Sequence, residues 1–260
     1  MVLLTALASA CNARSKTDII IAGSTSVQPY AEVLAEEYAL LFPGNEIDIQ
    51  GGGSSAGITA AESGTADIGM SSRHLKESEQ ELWSVEIAKD GLAVIVNPKN
   101  PILNLTLEQV SDIYSGKITN WNELGGSDHK IHIITREDGS GTRSAFEELV
   151  MGESRITPKA IVQDSNGAVR LLVSGDRYAI GFISLGLVDS TVKAIGLNGV
   201  APTRENVMGG SYSLFRPFLF VCLGPPEGEV KQFIDFTLSR EGQQLLMHEG
   251  LIPVVEGAAE

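Results

Sequence analysis

Short apolar runs that lead through a glycine- and hydroxyl-rich loop into a stretch of helical periodicity recur along this chain. The first such unit has the β-branched run 19–21, the loop 23–26, and apolar residues at helical spacing from Val27 to Leu41. Parallel strands need a crossover connection, which is usually a helix, so this order is typical of α/β folds. The recurrence therefore predicts an α/β fold with mostly parallel sheets flanked by helices.

Two further units follow the same order. One has the alternating pattern 46–50 before the loop 51–57, and the other has the apolar run 131–134 before the loop 135–142. An ordinary helix cap needs one Ser or Thr, so the three successive glycines at 51–53 exceed what capping requires. Loops of parallel sheets meet at the carboxyl ends of the strands, where ligands bind. We therefore expect the three loops to converge on one ligand.

The loop of the third unit, at 135–142, indicates what that ligand is. Arg136 offers a planar fork of N–H donors, Ser140 and Thr142 offer hydroxyls, and Gly141 lets the backbone approach closely. The first turn of a helix has N–H groups without intrahelical acceptors and carries the positive end of the helix dipole. These features predict a site for a tetrahedral oxyanion. The alternative is an ordinary cap, with Ser140 or Thr142 as the N-cap residue.

The net charge argues against nucleic acid as a partner but leaves a small anion open. The 260 residues carry a formal charge of −14, with no surplus of Lys and Arg for phosphate backbone contacts. A small ion in a closed cleft responds mainly to nearby N–H dipoles and arginines, because surface charge is screened within about 10 Å. The composition, 43% hydrophobic and 20% charged, is that of a folded globular protein with room for two domains.

The domain division follows from two predicted crossings of the chain, near Asn97 and near Arg216. We expect lobe I to comprise residues 17–96 and 211–260, and lobe II residues 97–210. Residues 1–16 are interpreted as an export signal with a lipoprotein cleavage box ending at Cys11, followed by a linker. Acylation at Cys11 would tether the protein to the outer face of a membrane. The alternative is a plain apolar N-terminus, and the segment lacks the Lys or Arg typical of a signal start.

The remaining reactive side chains do not suggest an enzyme. Cys222 lies in the apolar run 218–223 and is predicted to be buried as a small hydrophobe. The four histidines have no metal-ligand spacing, and none is placed as a base beside a Ser, Cys or Asp nucleophile. We expect no metal, no cofactor and no catalytic residue.

Six segments, at 23–27, 53–57, 67–73, 113–121, 136–142 and 179–182, together resemble the extracytoplasmic phosphate-binding proteins of ABC-type phosphate importers. The similarity extends from Ile20 to Val254. It implies the two-lobed, type II periplasmic-binding-protein-like fold with a ligand cleft between the lobes. It also implies a monomeric, non-enzymatic receptor that closes on inorganic phosphate and delivers the ion to a membrane permease.

The resemblance implies a ligand set as well. Phosphate would be held from one lobe by Ser24, Thr25, Ser26, Ser54, Ser55 and Ser72, and from the other by Arg136, Ser140, Gly141 and Thr142. Asp138 would pair with Arg136 and orient it. Arg73 would stand behind the site, although Arg73 and Arg143 could each instead form a surface pair, with Asp67 or Glu147.

One position departs from the family pattern. Some members have an aspartate that accepts the proton of a protonated phosphate, and Ser72 stands at that position here. A serine both donates and accepts, so it does not repel a fully ionised anion. The same fold could therefore bind sulfate, molybdate, tungstate or an organic acid. A phosphatase is a further alternative, because a phosphate cradle can also serve phosphoryl transfer.

Overall fold

The computed structural model describes residues 18–254. The strands in this range are β1 (Asp18–Gly23), β2 (Glu46–Gly51), β3 (Ile68–Ser71), β4 (Trp83–Val96), β5 (Asn104–Leu105), β6 (His132–Arg136), β7 (Ile161–Gln163), β8 (Ala179–Ser184), β9 (Lys193–Ala194), β10 (Gly196–Leu197) and β11 (Phe215–Cys222). The helices are α1 (Gln28–Leu41), α2 (Ser54–Glu62), α3 (Leu107–Ser115), α4 (Gly141–Phe146), α5 (Asn166–Gly175), α6 (Arg204–Met208), α7 (Gly228–Leu238) and α8 (Arg240–His248). A π-helical turn over Glu147–Met151 continues α4.

One long sheet runs through the molecule in the order β2-β1-β3-β11-β4-β8-β6-β7, with β9 also on β4. The strands that feed helices through the three loops pair in parallel, as β1 does with β2 and β3, and β6 with β7 and β8. The pairs that involve β4 or β11 are antiparallel. The α/β prediction is therefore confirmed, and the parallel character belongs to the strand-loop-helix units rather than to the whole sheet.

Strand β4 connects two separate hydrophobic cores. Its residues 83–91 pair with β11, and residues 92–96 pair with β8. Ala88 belongs to a core formed with α1, α7 and β11, whereas Leu92 belongs to a core formed with α3, α4 and β8. The change of core thus falls within four residues of a single continuous strand.

Helix α1 shows why these elements form where they do. Tyr30, Ala31, Leu34 and Tyr38 recur at helical spacing and form its buried face. Pro29 lies in the first turn, where no hydrogen bond from its nitrogen is needed. Burial of each large side chain in this core stabilises the fold by roughly 1.5–3 kcal/mol.

Cys222 is buried at the end of β11, and its prediction as a core thiol is confirmed. Burial raises the pKa of this thiol to about 11, so it remains protonated at neutral pH. Cys11 and the predicted export signal lie outside the described residues. Within residues 18–254, none of the helices has the length and hydrophobicity that a membrane span requires.

Candidate anion-binding site

The first turns of four helices, α1, α2, α4 and α5, meet at one point. Ser26, just before α1, contacts Thr142 of α4, with 2.8 Å between the two hydroxyl oxygens. Asn166, the first residue of α5, donates from Nδ2 to Ser26 Oγ at 2.8 Å. The first turn of α2 reaches the same place, because the backbone N–H of Ser55 donates to the carbonyl oxygen of Gly139 at 3.1 Å. Loops that are distant in the sequence therefore surround one centre, as the sequence predicted.

Gly141 lies where the start of α4 packs closely against Ser54 of α2 and Ser72, just after β3. A Cβ atom at this position would overlap the hydroxyl oxygens of Ser54 and Ser72, which belong to the other half of the molecule. Only the absence of a side chain lets the start of α4 lie against them.

Arg136, at the end of β6, is one of two buried arginines of this centre. Its side chain is 1% exposed, and Nη2 donates to Thr25 Oγ1 and to the carbonyl oxygen of Asp164, both at 3.1 Å. Nε and Nη2 each donate to the carboxylate of Glu137 at 2.9 Å. Nη1 is buried and has no protein partner within the described part of the chain. One face of the guanidinium is thus fixed by protein, and a buried N–H group remains for a ligand.

The carboxylate that pairs with Arg136 is Glu137, not Asp138 as the family resemblance implied. Asp138 is 93% exposed and pairs with Arg143 at 2.5 Å. Arg143 also pairs with Glu147, one helical turn later, at 2.9 Å. Side chains one and two residues after a strand point in different directions. The spacing alone therefore did not reveal which of the two acids faces Arg136.

Arg216 is a second buried arginine, which the sequence analysis placed only at a crossing between lobes. Its guanidinium is 2% exposed and donates twice to Asp90 Oδ2, from Nε at 3.0 Å and from Nη2 at 2.9 Å. Nη2 also donates to Ser26 Oγ at 3.1 Å, and Nη1 to Ser72 Oγ at 3.3 Å. The arginine stands over the ring of Phe218, 5.3 Å from its centroid. In the sequence, the position of Arg216 within an otherwise apolar strand was the sign that it has a partner in the interior.

The Asp90–Arg216 pair has unusual electrostatics because both partners are almost fully buried. Burial raises the pKa of Asp90, while the Arg216 guanidinium and the Ser184 hydroxyl act to lower it. Burial likewise lowers the pKa of Arg216, and Asp90 opposes that change. Removing either partner would leave a buried group uncompensated.

Most of the predicted hydroxyls lie in this centre. Ser24 Oγ donates to Ser72 Oγ at 2.9 Å, and Ser72 Oγ lies 3.3 Å from Ser54 Oγ. Ser140 is the N-cap residue of α4 and accepts from the N–H of Arg143 at 3.2 Å, so its capping function and its place in the site coexist.

Arg73 is directed away from these hydroxyls. It is buried and pairs with Glu79 at 2.7 Å rather than with Asp67, and it reaches Ser55 Oγ at 3.4 Å. Ser55 Oγ therefore accepts a hydrogen bond from Arg73. Besides Arg216, the sequence pattern did not indicate Asp90, Asn166 and Ser184, because nothing local relates them to the loops.

The contacts that the structure records for two of the histidines lie outside this centre. His129 stacks on Tyr178, and His132 contacts Asp176. Within residues 18–254, no group of three or more His, Cys, Asp or Glu side chains is placed to hold a metal ion. The centre is therefore built from arginines, hydroxyls, an amide and helix starts, which are the groups that bind oxyanions.

A family model described as a PBP superfamily domain matches residues 8–241 of the chain. The phosphate-binding protein PstS of Bacillus subtilis is 30% identical over 249 residues, which cover 94% of this chain and 83% of that protein. This chain belongs to the PstS family of the PBP superfamily. The PstS protein of Borreliella burgdorferi is also 30% identical, over 97% of this chain and 96% of its own length.

Solved structures place this PstS-family chain among the same proteins. A structure described as a phosphate ABC transporter substrate-binding protein with bound phosphate, from Clostridium perfringens, is 46% identical with a TM-score of 0.89. It covers 92% of this chain and all of its own. An ABC-type phosphate transport receptor from Vibrio cholerae is 43% identical with a TM-score of 0.76, over 91% of this chain and 100% of its own. The two-lobed α/β fold predicted from the sequence is thereby confirmed.

Proposed function

We propose that this chain is a receptor for inorganic phosphate, which closes two lobes around the ion and delivers it to the permease of an ABC importer. The observation that carries the proposal is the buried Arg136 guanidinium. Three of its contacts, with Thr25, Glu137 and Asp164, hold it in place, and Nη1 is left for a ligand. The PstS relatives and the phosphate-bound neighbour support phosphate as that ligand.

Binding energy in such a site comes from hydrogen bonds to a charged acceptor in a dry environment. A hydrogen bond that involves an ionised group contributes roughly 1.5–3 kcal/mol, more than a neutral one. Arg136, Thr142 and Ser54 are all buried, so water competes little for the anion. We expect phosphate to take its donors from these side chains and from the first-turn N–H groups of the helices.

Closure of the cleft would be stabilised by direct contacts between its two sides. Thr25 accepts from Arg136, Ser26 contacts both Thr142 and Asn166, and Ser55 donates to Gly139. An ion held at this point would contact the same loops from both sides. Binding of the ion would therefore favour the closed conformation.

We infer that the hinge lies where β4 and β11 leave the first core, close to Asp90 and Phe215. Core membership changes between Ala88 and Leu92, which puts the first boundary a few residues before the predicted limit at 96. We place the return boundary within β11, because Tyr212 and Leu214 belong to the core of Leu92 and Phe218 to that of Ala88. The lobe limits 17–96 with 211–260, and 97–210, otherwise stay predictions.

The relatives are named as phosphate-binding proteins, and we propose that this chain likewise binds its ligand without catalysis. The phosphatase alternative needs a nucleophile with a base beside it, and Ser26, a central hydroxyl of the site, contacts an amide, an arginine and a threonine instead. We further propose a monomer that works outside the cytoplasm and is anchored through Cys11.

The test is Arg136→Ala with calorimetric titration of phosphate. We expect affinity to fall about 100-fold or more, because a buried charged donor is removed from the anion. The fold should persist, because Glu137 is 29% exposed and can be solvated once its partner is gone. Arg170→Ala is the matched control, since Arg170 pairs with Asp189 on the surface. Unchanged affinity in Arg136→Ala would refute the assignment.

A further inference from the structure

Arg216 contacts the hydroxyl groups of two different loops of the candidate site. Nη2 donates to Ser26 Oγ at 3.1 Å, and Nη1 donates to Ser72 Oγ at 3.3 Å. A hydroxyl has one hydrogen and two lone pairs. The number of hydrogen bonds that each hydroxyl accepts therefore determines where its own hydrogen must go.

Ser26 accepts two hydrogen bonds, from Arg216 Nη2 and from Asn166 Nδ2. The amide orientation of Asn166 is determined by its other end, where Oδ1 accepts from the backbone N–H of Ser184 at 3.3 Å. With both lone pairs of Ser26 used, its hydrogen must be donated to Thr142 Oγ1, 2.8 Å away. The hydrogen of Thr142 then remains for another acceptor.

Ser72 follows the same logic on the other side. Its oxygen accepts from Ser24 Oγ at 2.9 Å and from Arg216 Nη1, so it donates to Ser54 Oγ at 3.3 Å. Ser54 also accepts from the backbone N–H of Ser72 at 3.0 Å. Both lone pairs of Ser54 are then occupied, and its hydrogen too is left for another acceptor.

The two carboxylates beside the centre are both occupied by arginines. Asp90 accepts twice from Arg216 at Oδ2 and once from the hydroxyl of Ser184 at Oδ1, at 2.7 Å. Both oxygens of Glu137 accept from Arg136. Each carboxylate is thus already paired with an arginine.

We propose that Arg216, held by Asp90, is a specificity-determining residue that turns the hydroxyl protons of the site toward the anion. By filling one lone pair of Ser26 and one of Ser72, it makes Thr142 and Ser54 donors. These two hydroxyls then present their hydrogens to the anion, and the site admits sulfate, which has two charges and no proton to give, alongside phosphate. This inference rests on the proposed phosphate function of the same cleft.

The experiment is calorimetry of the full chain, freed of bound phosphate by unfolding and refolding, with phosphate and sulfate titrated separately and in competition. We expect sulfate to bind and to displace phosphate. In Arg216→Lys the charge opposite Asp90 is kept, but an ammonium group lacks the fork that reaches both hydroxyls. Ser26 or Ser72 can then accept in place of donating, which lets Thr142 or Ser54 accept the phosphate proton. Sulfate affinity should fall about tenfold or more, and phosphate affinity less.

Each other outcome is decisive. If phosphate binds and sulfate fails to compete at about 1,000-fold excess, the inference is overturned and the phosphate function stands. Equal losses for both ligands in Arg216→Lys also overturn it, because a merely structural role would weaken both. If sulfate alone binds, the phosphate function is overturned and the sulfate loss in Arg216→Lys decides the inference. If neither ion binds, both fail.

A second variant protects the test against misfolding. Asp90→Asn with Arg216→Gln replaces the buried ion pair by two uncharged, hydrogen-bonding side chains and so leaves no unpaired charge. Its folding is checked by thermal melting. It should show the same selective loss of sulfate, and an unchanged ratio of the two affinities would contradict the role of Arg216.

Discussion

Two buried guanidinium groups, each neutralised by one carboxylate, define the charge of the candidate site. Their partners differ in burial, because Glu137 is 29% exposed whereas Asp90 is 1% exposed. Loss of Arg136 therefore leaves an acid that water can reach. Loss of Arg216 leaves the Asp90 carboxylate buried without a partner and out of reach of water. Such a loss typically costs about 3–5 kcal/mol of folding stability. The two arginines can thus be separated by experiment, one through binding and the other through both binding and folding.

Ser72 is the residue at which selectivity can be changed directly. We expect Ser72→Asp to retain phosphate binding within about tenfold and to lose sulfate by a larger factor, because a carboxylate accepts the phosphate proton and repels a fully ionised anion. Arg216 Nη1, 3.3 Å from Ser72 Oγ, is placed to hold the new carboxylate. Competition calorimetry provides the measurement, and Ser72→Asn is the uncharged control. Equal losses of both ions would show that Ser72 is not the acceptor position.

At the scale of single elements, the segment after β3 is held by an acid that closes its own turn. The 3₁₀ turn Glu77–Glu79 follows Lys76, whose backbone N–H donates to Glu79 Oε2 at 2.8 Å. Arg73 donates twice to the same carboxylate, at 2.7 and 2.9 Å. The arginine next to Ser72 is thus fixed by an acid six residues later, which is why it does not turn toward the hydroxyls.

This turn predicts a pH dependence of stability. The hydrogen bond from Arg73 lowers the pKa of Glu79 below its ordinary value of 4.5. A lowered folded-state pKa stabilises the protein above the unfolded value, and that contribution disappears as pH falls through the folded value. Urea unfolding should therefore show Glu79→Gln less stable than wild type at pH 7, with the difference shrinking below about pH 4.5. Glu77→Gln, exposed on the same turn, is the control. A difference that persists unchanged in acid would contradict this account.

At the scale of the whole molecule, we expect Gly141 to limit how closely the two sides of the site can approach. Gly141→Ala would place a Cβ against the hydroxyl oxygens of Ser54 and Ser72, which their hydrogen bonds hold in place. The backbone conformation of Gly141 is one that alanine adopts, so the fold should survive. We expect phosphate affinity to fall about tenfold or more, because this crowding opposes closure. Small-angle scattering with phosphate should show a more open molecule.

Gly139→Ala is the matched control for the Gly141→Ala substitution. A Cβ on Gly139 would lie 3.8 Å from the Cβ of Ser55, an ordinary contact. It lies on the same loop, two residues earlier, so any general effect of alanine on the loop appears in both variants. Equal effects of the two substitutions would show that contact at Gly141 does not limit closure.

Local order along the chain was sufficient for the α/β fold and for the loops of the site. Hydrophobic periodicity identifies strands and helices because each element buries one face, and glycine with hydroxyl residues identifies loops that approach an anion. Ser26, Ser54, Arg136 and Thr142 were found in this way, and the contacts at Ser26 and Gly141 bring their loops together. The PstS relatives confirm the family that the six segments resembled.

The partners of the arginines depended on the tertiary structure. Asp90 and Arg216 are 126 residues apart and meet because β4 and β11 pair in antiparallel register. Asn166 is 140 residues from Ser26. Periodicity reports which face of an element is buried, but a polar contact between distant segments depends on strand order and register, which no local pattern contains. For the same reason Glu137, and not its neighbour Asp138, could be recognised as the partner of Arg136 only once the direction of each side chain was known.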